Sequence, residues 1–232
     1  SGGTTPSLLS YLADLELAVD ELANTWKPDD PLYRADVYQQ IMMNLSYAYF
    51  VFFHADPEHP DWSPLWNPVY RQQPNPDTLY LHAPLRGDLT YKISGDRGTC
   101  HGLVFATQEG FTGSVERVDE VKDVQIIDAK DLQVGANGEF ELILSQKRPA
   151  DYTGNWAAIL PGTDTLMVRY ISQNWENERD PSLSIECLDP VPLKPRLTPE
   201  QITERIEKMA RFPANMDRMF FKMQNDLKAG VG

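Results

Sequence analysis

The chain has 232 residues and a formal net charge of -13, because 34 aspartate and glutamate residues outnumber 21 lysine and arginine residues. A surface of this charge repels nucleic-acid phosphates and anionic membranes, so we expect neither as a partner and favour a neutral or cationic small molecule. An apolar content of 41% predicts a real core, while the longest apolar-rich stretch, residues 41–53, is too short for a membrane span, which indicates a soluble protein.

Two helices are predicted in an N-terminal helical segment, residues 6–55. Apolar residues recur at helical spacing from residue 7 to residue 24. Asp30 can cap a second helix with Pro31 in its first position, extending to about Phe53. Nearly every face of its last turns is apolar, which predicts a buried helix, in the core or at a subunit contact. A homo-oligomer or a subunit of a larger assembly is expected.

A β-sandwich domain is predicted for residues 75–192, after a proline-rich loop of the length that often carries function. Its short β-type runs have no helices between them, which is typical of an antiparallel sandwich of jelly-roll type. Residues 95–98 and 136–139 have the composition of hairpin turns. The predicted strands are 78–83, 89–93, 102–106, 124–127, 140–145, 165–171 and 182–188.

The C-terminal helical segment, residues 197–228, begins with a capping box at Thr198 and Gln201. Pro213 is expected to break this helix. A last helix then carries a methionine-rich stripe that favours core or oligomer packing over a ligand groove. The predicted fold class is α+β, with two helices before the sandwich and helical structure after it.

The segment from Asn75 to His82 is the strongest candidate site. Asn75 and Asp77 precede a strand, and such residues commonly fold back onto their own backbone. Tyr80 and His82 alternate with leucines, so both point to one face of the strand. That face is polar and aromatic, as expected of a functional site.

His101 lies on another predicted strand and approaches His82 if the strands pair as a meander. The two histidines with Asp77 are a possible metal site, but no tight histidine spacing supports one, and we expect metal-free acid–base chemistry instead. Nucleotide-binding glycine patterns are absent, so no cofactor is predicted. Cys100 and Cys187 lie far apart, which favours reduced thiols in a cytoplasmic protein; a disulfide-bonded, periplasmic protein is the alternative.

Arg169, inside an apolar strand, needs a partner if it is buried. A structural pair with Glu178 or Asp77 is favoured over binding of a substrate carboxylate. Trp62, Trp66 and Trp175 are candidates for stacking on a ligand.

Five blocks between residues 33 and 188 resemble an uncharacterised bacterial family, the domains of unknown function numbered twelve fifty-four and twelve-fourteen. The resemblance implies β-sandwich domains of jelly-roll type and oligomers, and it implies no settled activity. The blocks are Asn75-Pro76-Asp77-x-x-Tyr80, Gly95-Asp96-Arg97-Gly98-Thr99, Gly138-x-Phe140-Glu141-Leu142, Asn155-Trp156 and Leu166-x-Val168-Arg169-Tyr170.

Three functions remain open on the sequence. The first is an enzyme, a hydrolase or lyase, that acts on a small, largely uncharged organic molecule. His82 or His101 would transfer the proton, Tyr80 would donate a hydrogen bond to developing negative charge, and Asp77 would orient an imidazole. The second is a non-catalytic module binding a carbohydrate or hydrophobic ligand, oriented by Asn75 and Arg169 among others. The third is a structural subunit of an oligomer.

Overall fold

The structure is a computed structural model that describes residues 8–27, 29–65, 75–111, 113–114 and 121–230. Its helices are α1 (Leu8–Trp26), α2 (Pro31–Tyr49), which continues into a π-helical turn (Phe50–His54), and α3 (Pro199–Lys228). Its strands are β1 (Ser63–Pro64), β2 (Thr78–Pro84), β3 (Tyr91–Asp96), β4 (Gly102–Glu109), β5 (Lys122–Asp128), β6 (Glu139–Ser145), β7 (Asn155–Ala158), β8 (Thr165–Ile171) and β9 (Ser182–Cys187). A 3-10 turn (Ala129–Asp131) follows β5. The α+β class and the order of helices and strands are confirmed.

The three helices belong to one compact unit of the chain. As predicted, Pro31 is the first residue of α2, and the Asp30 carboxylate accepts hydrogen bonds from the backbone nitrogens of Leu32 and Tyr33. The predicted capping box of Thr198 and Gln201 also forms at the start of α3. Apolar side chains of the three helices form the core of this unit: Leu15, Ala18, Val19, Leu22, Val37, Ile41 and Ala214.

The prediction that Pro213 breaks the C-terminal helix is wrong, because α3 runs through it without interruption. An internal proline removes one helical hydrogen bond and costs about 3 kcal/mol. Burial of its neighbours offsets that cost: Phe212 is fully buried, and its ring lies 5.4 Å from the Tyr47 ring and 5.8 Å from the Phe52 ring. Met216 is also buried, in agreement with core packing of the methionine stripe.

Strands of the second unit form two sheets within the described residues, with orders β1-β2-β8-β4-β5 and β7-β6-β3-β9. Every pair is antiparallel except β6 and β7, which are parallel. The expectation of purely antiparallel pairing is therefore wrong, and β1 and β7 were not predicted because each has four residues or fewer. Both sheets contribute to one core, where the rings of Phe105 and Phe140 lie 6.0 Å apart.

The predicted turns form, but they do not join paired strands. Gly98 and Gly138 have φ angles of 66° and 89°, which glycine adopts without strain. However, β3 and β4 lie in different sheets, as do β5 and β6. Each turn thus carries the chain from one sheet to the other, and the meander that would bring His82 close to His101 does not form, because β8 lies between β2 and β4.

Both cysteines are free thiols, as predicted, with Cys100 buried and Cys187 half-buried. Burial raises the pKa of both thiols, which disfavours the reactive thiolate. None of the helices, as far as the chain is described, combines the length and apolar character needed to cross a membrane.

Candidate functional site

The segment 75–78 forms a tight turn that leads into β2. The Asn75 side-chain oxygen accepts a hydrogen bond from the Asp77 backbone nitrogen at 3.1 Å, and its carbonyl accepts one from Thr78 at 3.2 Å. The Asp77 carbonyl accepts from Ser172 at 2.8 Å, which extends the pairing of β2 and β8 by one step. The turn therefore holds Asp77 at the end of these two strands.

A cleft of about 340 Å3 lies at this end of β2 and β8. Both strands and the chain that follows β8 contribute to its lining. The volume suits a small organic molecule. The lining residues are Pro76, Asp77, Leu79, Tyr170, Ser172, Trp175, Glu178 and Asp180.

A hydrogen-bonded turn presents Trp175 at the cleft. The Asn174 carbonyl accepts from the backbone nitrogens of Asn177 and Glu178 at 3.1 and 2.9 Å, and the Glu178 carboxylate accepts from the Gln173 nitrogen at 2.9 Å. Trp175 is 61% exposed. An indole held in solvent by an ordered turn is available for contact with a ligand.

The segment 95–99 is hydrogen-bonded to the chain that lines the cleft at Glu178 and Asp180. Thr99 exchanges two hydrogen bonds with the Arg179 backbone, at 2.8 and 2.9 Å, and the Arg179 guanidinium donates to Asp96 at 2.9 Å and lowers the pKa of that carboxyl. A Cβ atom on Gly98 would lie 2.4 Å from the Arg179 carbonyl oxygen and 2.7 Å from that of Asp180. Glycine is thus required for the close approach of the two segments.

Three carboxylates and two aromatic rings line the cleft. Asp77 and Asp180 are exposed, and one Glu178 oxygen is engaged by the Gln173 nitrogen. Across the described parts of the chain, no three His, Cys, Asp or Glu side chains are grouped closely enough to hold a metal ion. Acidic and aromatic groups together favour an organic cation, since a ring face and a carboxylate both attract positive charge.

Tyr80 and His82 share one face of β2, as predicted. Leu81, between them, packs against the core of the β-strand unit. His82 is 3% exposed; its Nδ1 lies 3.5 Å from the Ser63 hydroxyl, and its ring lies 4.9 Å from that of Phe111. Burial lowers the pKa of His82 to about 4, so its imidazole is neutral at neutral pH.

The structure does not bring the four predicted catalytic residues together. Asp77 precedes His82 by five residues, about 16 Å along an extended strand. His101 is exposed at the start of β4, which β8 separates from β2. The neighbours of His82 are therefore Ser63 and Phe111 rather than Asp77 or His101.

The predicted ligand-binding residues are dispersed. Arg169 forms no ion pair with Glu178, Asp77 or any other described residue, so the expected structural pair is absent. Trp62 packs against the core of the β-strand unit, and Trp66 lies outside the described residues. Asn75 shapes the turn at the cleft, and Trp175 alone of the three tryptophans is seen to line it.

Sequence reasoning missed Tyr170, Ser172 and Asp180 as members of one site. Tyr170 is directly opposite Leu79 in the pairing of β2 and β8, and this register is not visible in the sequence. The family resemblance nevertheless pointed to this site. Two of its sequence blocks, 75–80 and 166–170, supply residues that line the cleft, and a third, 95–99, is hydrogen-bonded to the chain segment that lines it.

No family model and no curated protein matches the chain. Among solved structures, an uncharacterised protein from Burkholderia cenocepacia is similar over 93% of this chain, with a TM-score of 0.82 and 27% sequence identity. This chain spans 59% of that protein's length. A protein from Vibrio parahaemolyticus matches over 82% of this chain and 58% of its own, with 10% identity and a TM-score of 0.37.

Proposed function

We propose that the protein is a small-molecule-binding module whose cleft beside Asp77 takes an organic cation. The observation that carries the proposal is the placement of an exposed indole, Trp175, beside the carboxylates of Asp77, Glu178 and Asp180. Tryptophan offers the most favourable ring face for a cation. A net charge of -13 adds a long-range attraction for the same ligand.

Isothermal titration calorimetry with tetramethylammonium tests this proposal, and tert-butanol serves as a neutral molecule of similar size. Trp175→Ala is expected to weaken tetramethylammonium binding about tenfold, since a cation–ring contact contributes about 1 kcal/mol or more. Asp180→Asn should weaken it by a smaller factor. Asp131→Asn removes one exposed carboxylate outside the cleft and should leave binding unchanged.

Two results would overturn the cation proposal. Equal affinity for tert-butanol and tetramethylammonium would show that charge is not recognised. Equal weakening by Asp180→Asn and Asp131→Asn would show that only the overall negative field matters. Loss of binding in Trp175→Ala alone, with both carboxylate variants unchanged, would instead favour a neutral aromatic-stacking ligand.

An enzyme is the second candidate, favoured by the shared face of Tyr80 and His82 beside Ser63. The neutral imidazole is the form that accepts a proton, so we propose a base role for His82 and a hydrogen-bond role for Tyr80; a pKa near 4 makes His82 a weaker base than an exposed histidine. Hydrolysis of p-nitrophenyl esters would test it. We expect His82→Gln to remove turnover while the circular dichroism spectrum is kept; unchanged turnover contradicts the role.

We also propose a family for the chain and a more specific fold class. Membership of the family of domains twelve fifty-four and twelve-fourteen is supported by the clustering of three of its quoted blocks about one cleft. A sandwich of jelly-roll type is supported by the core that both sheets share. We also propose a homo-oligomer, supported by exposed apolar side chains on α2 such as Met42 and Tyr49.

A further inference from the structure

A second cavity, the Tyr152 pocket, has a volume of about 640 Å3 and lies on the four-stranded sheet. Strands β3 and β6, the start of β7 and the connections that precede β6 and β7 contribute to its lining. The strands that carry the Asp77 cleft, β2 and β8, belong to the other sheet, and the two cavities share no lining residue. The volume is in the usual range for a small-molecule site. Its polar lining residues are Ser94, Gln133, Glu139, Glu141, Tyr152 and Asn155.

Asn155 fixes the backbone of one wall of the Tyr152 pocket. Its side-chain oxygen accepts a hydrogen bond from the Gln133 backbone nitrogen at 2.7 Å, and its side-chain nitrogen donates to the carbonyls of Gln133 and Glu141, both at 2.9 Å. Both ends of the Asn155 amide are thus used within the chain. The Gln133 side chain is exposed and forms no hydrogen bond with any residue that the structure describes. It therefore offers a donor and an acceptor from a fixed backbone.

The loop before β7 holds Tyr152 at the pocket. The Arg148 guanidinium donates to the carbonyls of Tyr152 and Gly154, at 2.9 and 2.7 Å. A Cβ atom on Gly154 would lie 2.5 Å from the Tyr152 hydroxyl oxygen, so the phenol occupies space that a side chain at position 154 would fill. Burial, and to a smaller extent the negative charge of Glu141, raises the pKa of Tyr152, so the phenol keeps its proton and can donate.

Two carboxylates of β6 supply acceptors. The Glu141 carboxylate is 3.7 Å from the Lys92 ammonium, which lies closer to Glu186, at 2.6 Å. One oxygen of Glu139 accepts a hydrogen bond from the Asn137 amide at 2.7 Å. Glu139 and Glu141 are both exposed, and each keeps an oxygen that has no donor among the described residues. The Ser94 hydroxyl is 2.9 Å from that of Ser184 on β9 and is already engaged.

We propose that the Tyr152 pocket binds a neutral sugar. Sugar hydroxyl groups both donate and accept, so they can donate to Glu139 and Glu141 and accept from the Gln133 amide and the phenol. The Tyr152 ring adds an apolar surface for the C–H groups of a sugar ring. The pocket thus matches both parts of a pyranose, its hydroxyl groups and its apolar C–H surface.

Charge distinguishes a neutral sugar from other ligands. An acidic sugar is repelled by Glu139 and Glu141 and by a net charge of -13. Lys92, beside Glu141, offsets part of the negative charge of the pocket. An organic cation is therefore attracted less strongly here than at the Asp77 cleft, which three carboxylates line.

Saturation-transfer difference NMR on the whole chain tests the pocket, with maltose, cellobiose and lactose as probes. We expect at least one of the three to bind, and Tyr152→Ala to weaken its binding about tenfold or more. Gly154→Ala, which adds a methyl group where the phenol lies, and Gln133→Ala should weaken it by smaller factors. Gln39→Ala is the matched control, because it removes an exposed amide of α2, outside the pocket, and should bind as the wild type does. Circular dichroism checks that each variant is folded.

Several results would overturn the sugar proposal. Absence of binding by all three disaccharides, or wild-type affinity in Tyr152→Ala or in Gln133→Ala, would remove the sugar from this pocket. Equal affinity for the disaccharide and for cyclohexanol would show that the hydroxyl pattern is not recognised. Markedly tighter binding of glucosamine than of glucose would assign the pocket to a cation. Trp175→Ala should leave sugar binding unchanged, so failure of the cation proposal at the Asp77 cleft is distinguished from failure here.

Discussion

Burial determines the protonation state of His82. The imidazole is almost without solvent contact, and its pKa is lowered from the ordinary value of 6.5 to about 4. The unfolded chain takes up the proton near pH 6.5, whereas the folded chain does so only near pH 4. The stability that the neutral imidazole confers is therefore complete above pH 6.5 and is lost as the pH falls toward 4.

Because the pKa of His82 is lower in the folded chain than in the unfolded chain, we expect the free energy of unfolding of the wild type to fall by about 2 kcal/mol between pH 6.5 and pH 5, at 1.36 kcal/mol per pH unit. His82→Gln keeps a polar side chain that does not titrate, so it should lose much less over this interval, although it is less stable at pH 7. Urea denaturation at the two pH values measures both. His101→Gln, which alters an exposed histidine, should keep the wild-type dependence; parallel curves for wild type and His82→Gln would contradict the assignment.

Residue positions were predicted correctly where they depend on the local backbone, and wrongly where they depend on which strands pair. Tyr80 and His82 were placed on one face correctly, because alternation along a strand is fixed by the backbone itself. The separation of His82 from His101 was not predictable, since it depends on β8, more than 60 residues later, pairing between β2 and β4. The predicted pairing of Arg169 with Glu178 or Asp77 was wrong for the same reason, because strand register is not visible in the sequence.

Gly95 allows β3 and β9 to pair closely. Gly95 has a φ of 152°, and a Cβ there would lie 1.9 Å from the Ser182 carbonyl oxygen of β9. Gly95→Ala should therefore push β3 and β9 apart and destabilise the protein by at least about 2 kcal/mol. Gly102, on β4, is the matched control, because its Cβ would make only ordinary contacts with Ile171, the nearest at 3.6 Å.

Thermal denaturation followed by circular dichroism compares the two variants. A large decrease in melting temperature for Gly95→Ala and a small change for Gly102→Ala are expected. Equal melting temperatures would show that β9 adjusts to the added methyl group and that the close contact has little energetic weight.

Strands and helices were predicted well where a pattern was long, and their connections less well. The seven predicted strands all exist, because alternating apolar residues between turn residues are a local signal. Turn composition shows where the chain reverses but not whether the next strand pairs with the last, so 95–98 was assigned to a hairpin although it links two sheets. The helix break predicted at Pro213 does not occur, because the packing of its neighbours stabilises the helix and cannot be read from the sequence.

At the scale of the whole molecule, the apolar surface of α2 predicts self-association. Tyr38, Met42 and Tyr49 are spaced by four and seven residues, which places them on one stripe of the helix, and they are 36%, 47% and 53% exposed. Phe50 adds a further exposed ring beside Tyr49. Exposed apolar side chains grouped on one side of a helix are often covered by another chain.

We expect size-exclusion chromatography with light scattering to give a wild-type mass of at least two chains, and the Met42→Glu/Tyr49→Glu double variant to give the mass of one. Burying two carboxylates in an apolar contact without partners is strongly unfavourable, whereas both are readily hydrated on a free helix. Leu160→Glu/Leu193→Glu adds the same charge at exposed apolar positions outside the helices and should keep the wild-type mass. A monomeric wild type would contradict the oligomer outright, and dissociation of both double variants would attribute it to overall charge rather than to α2.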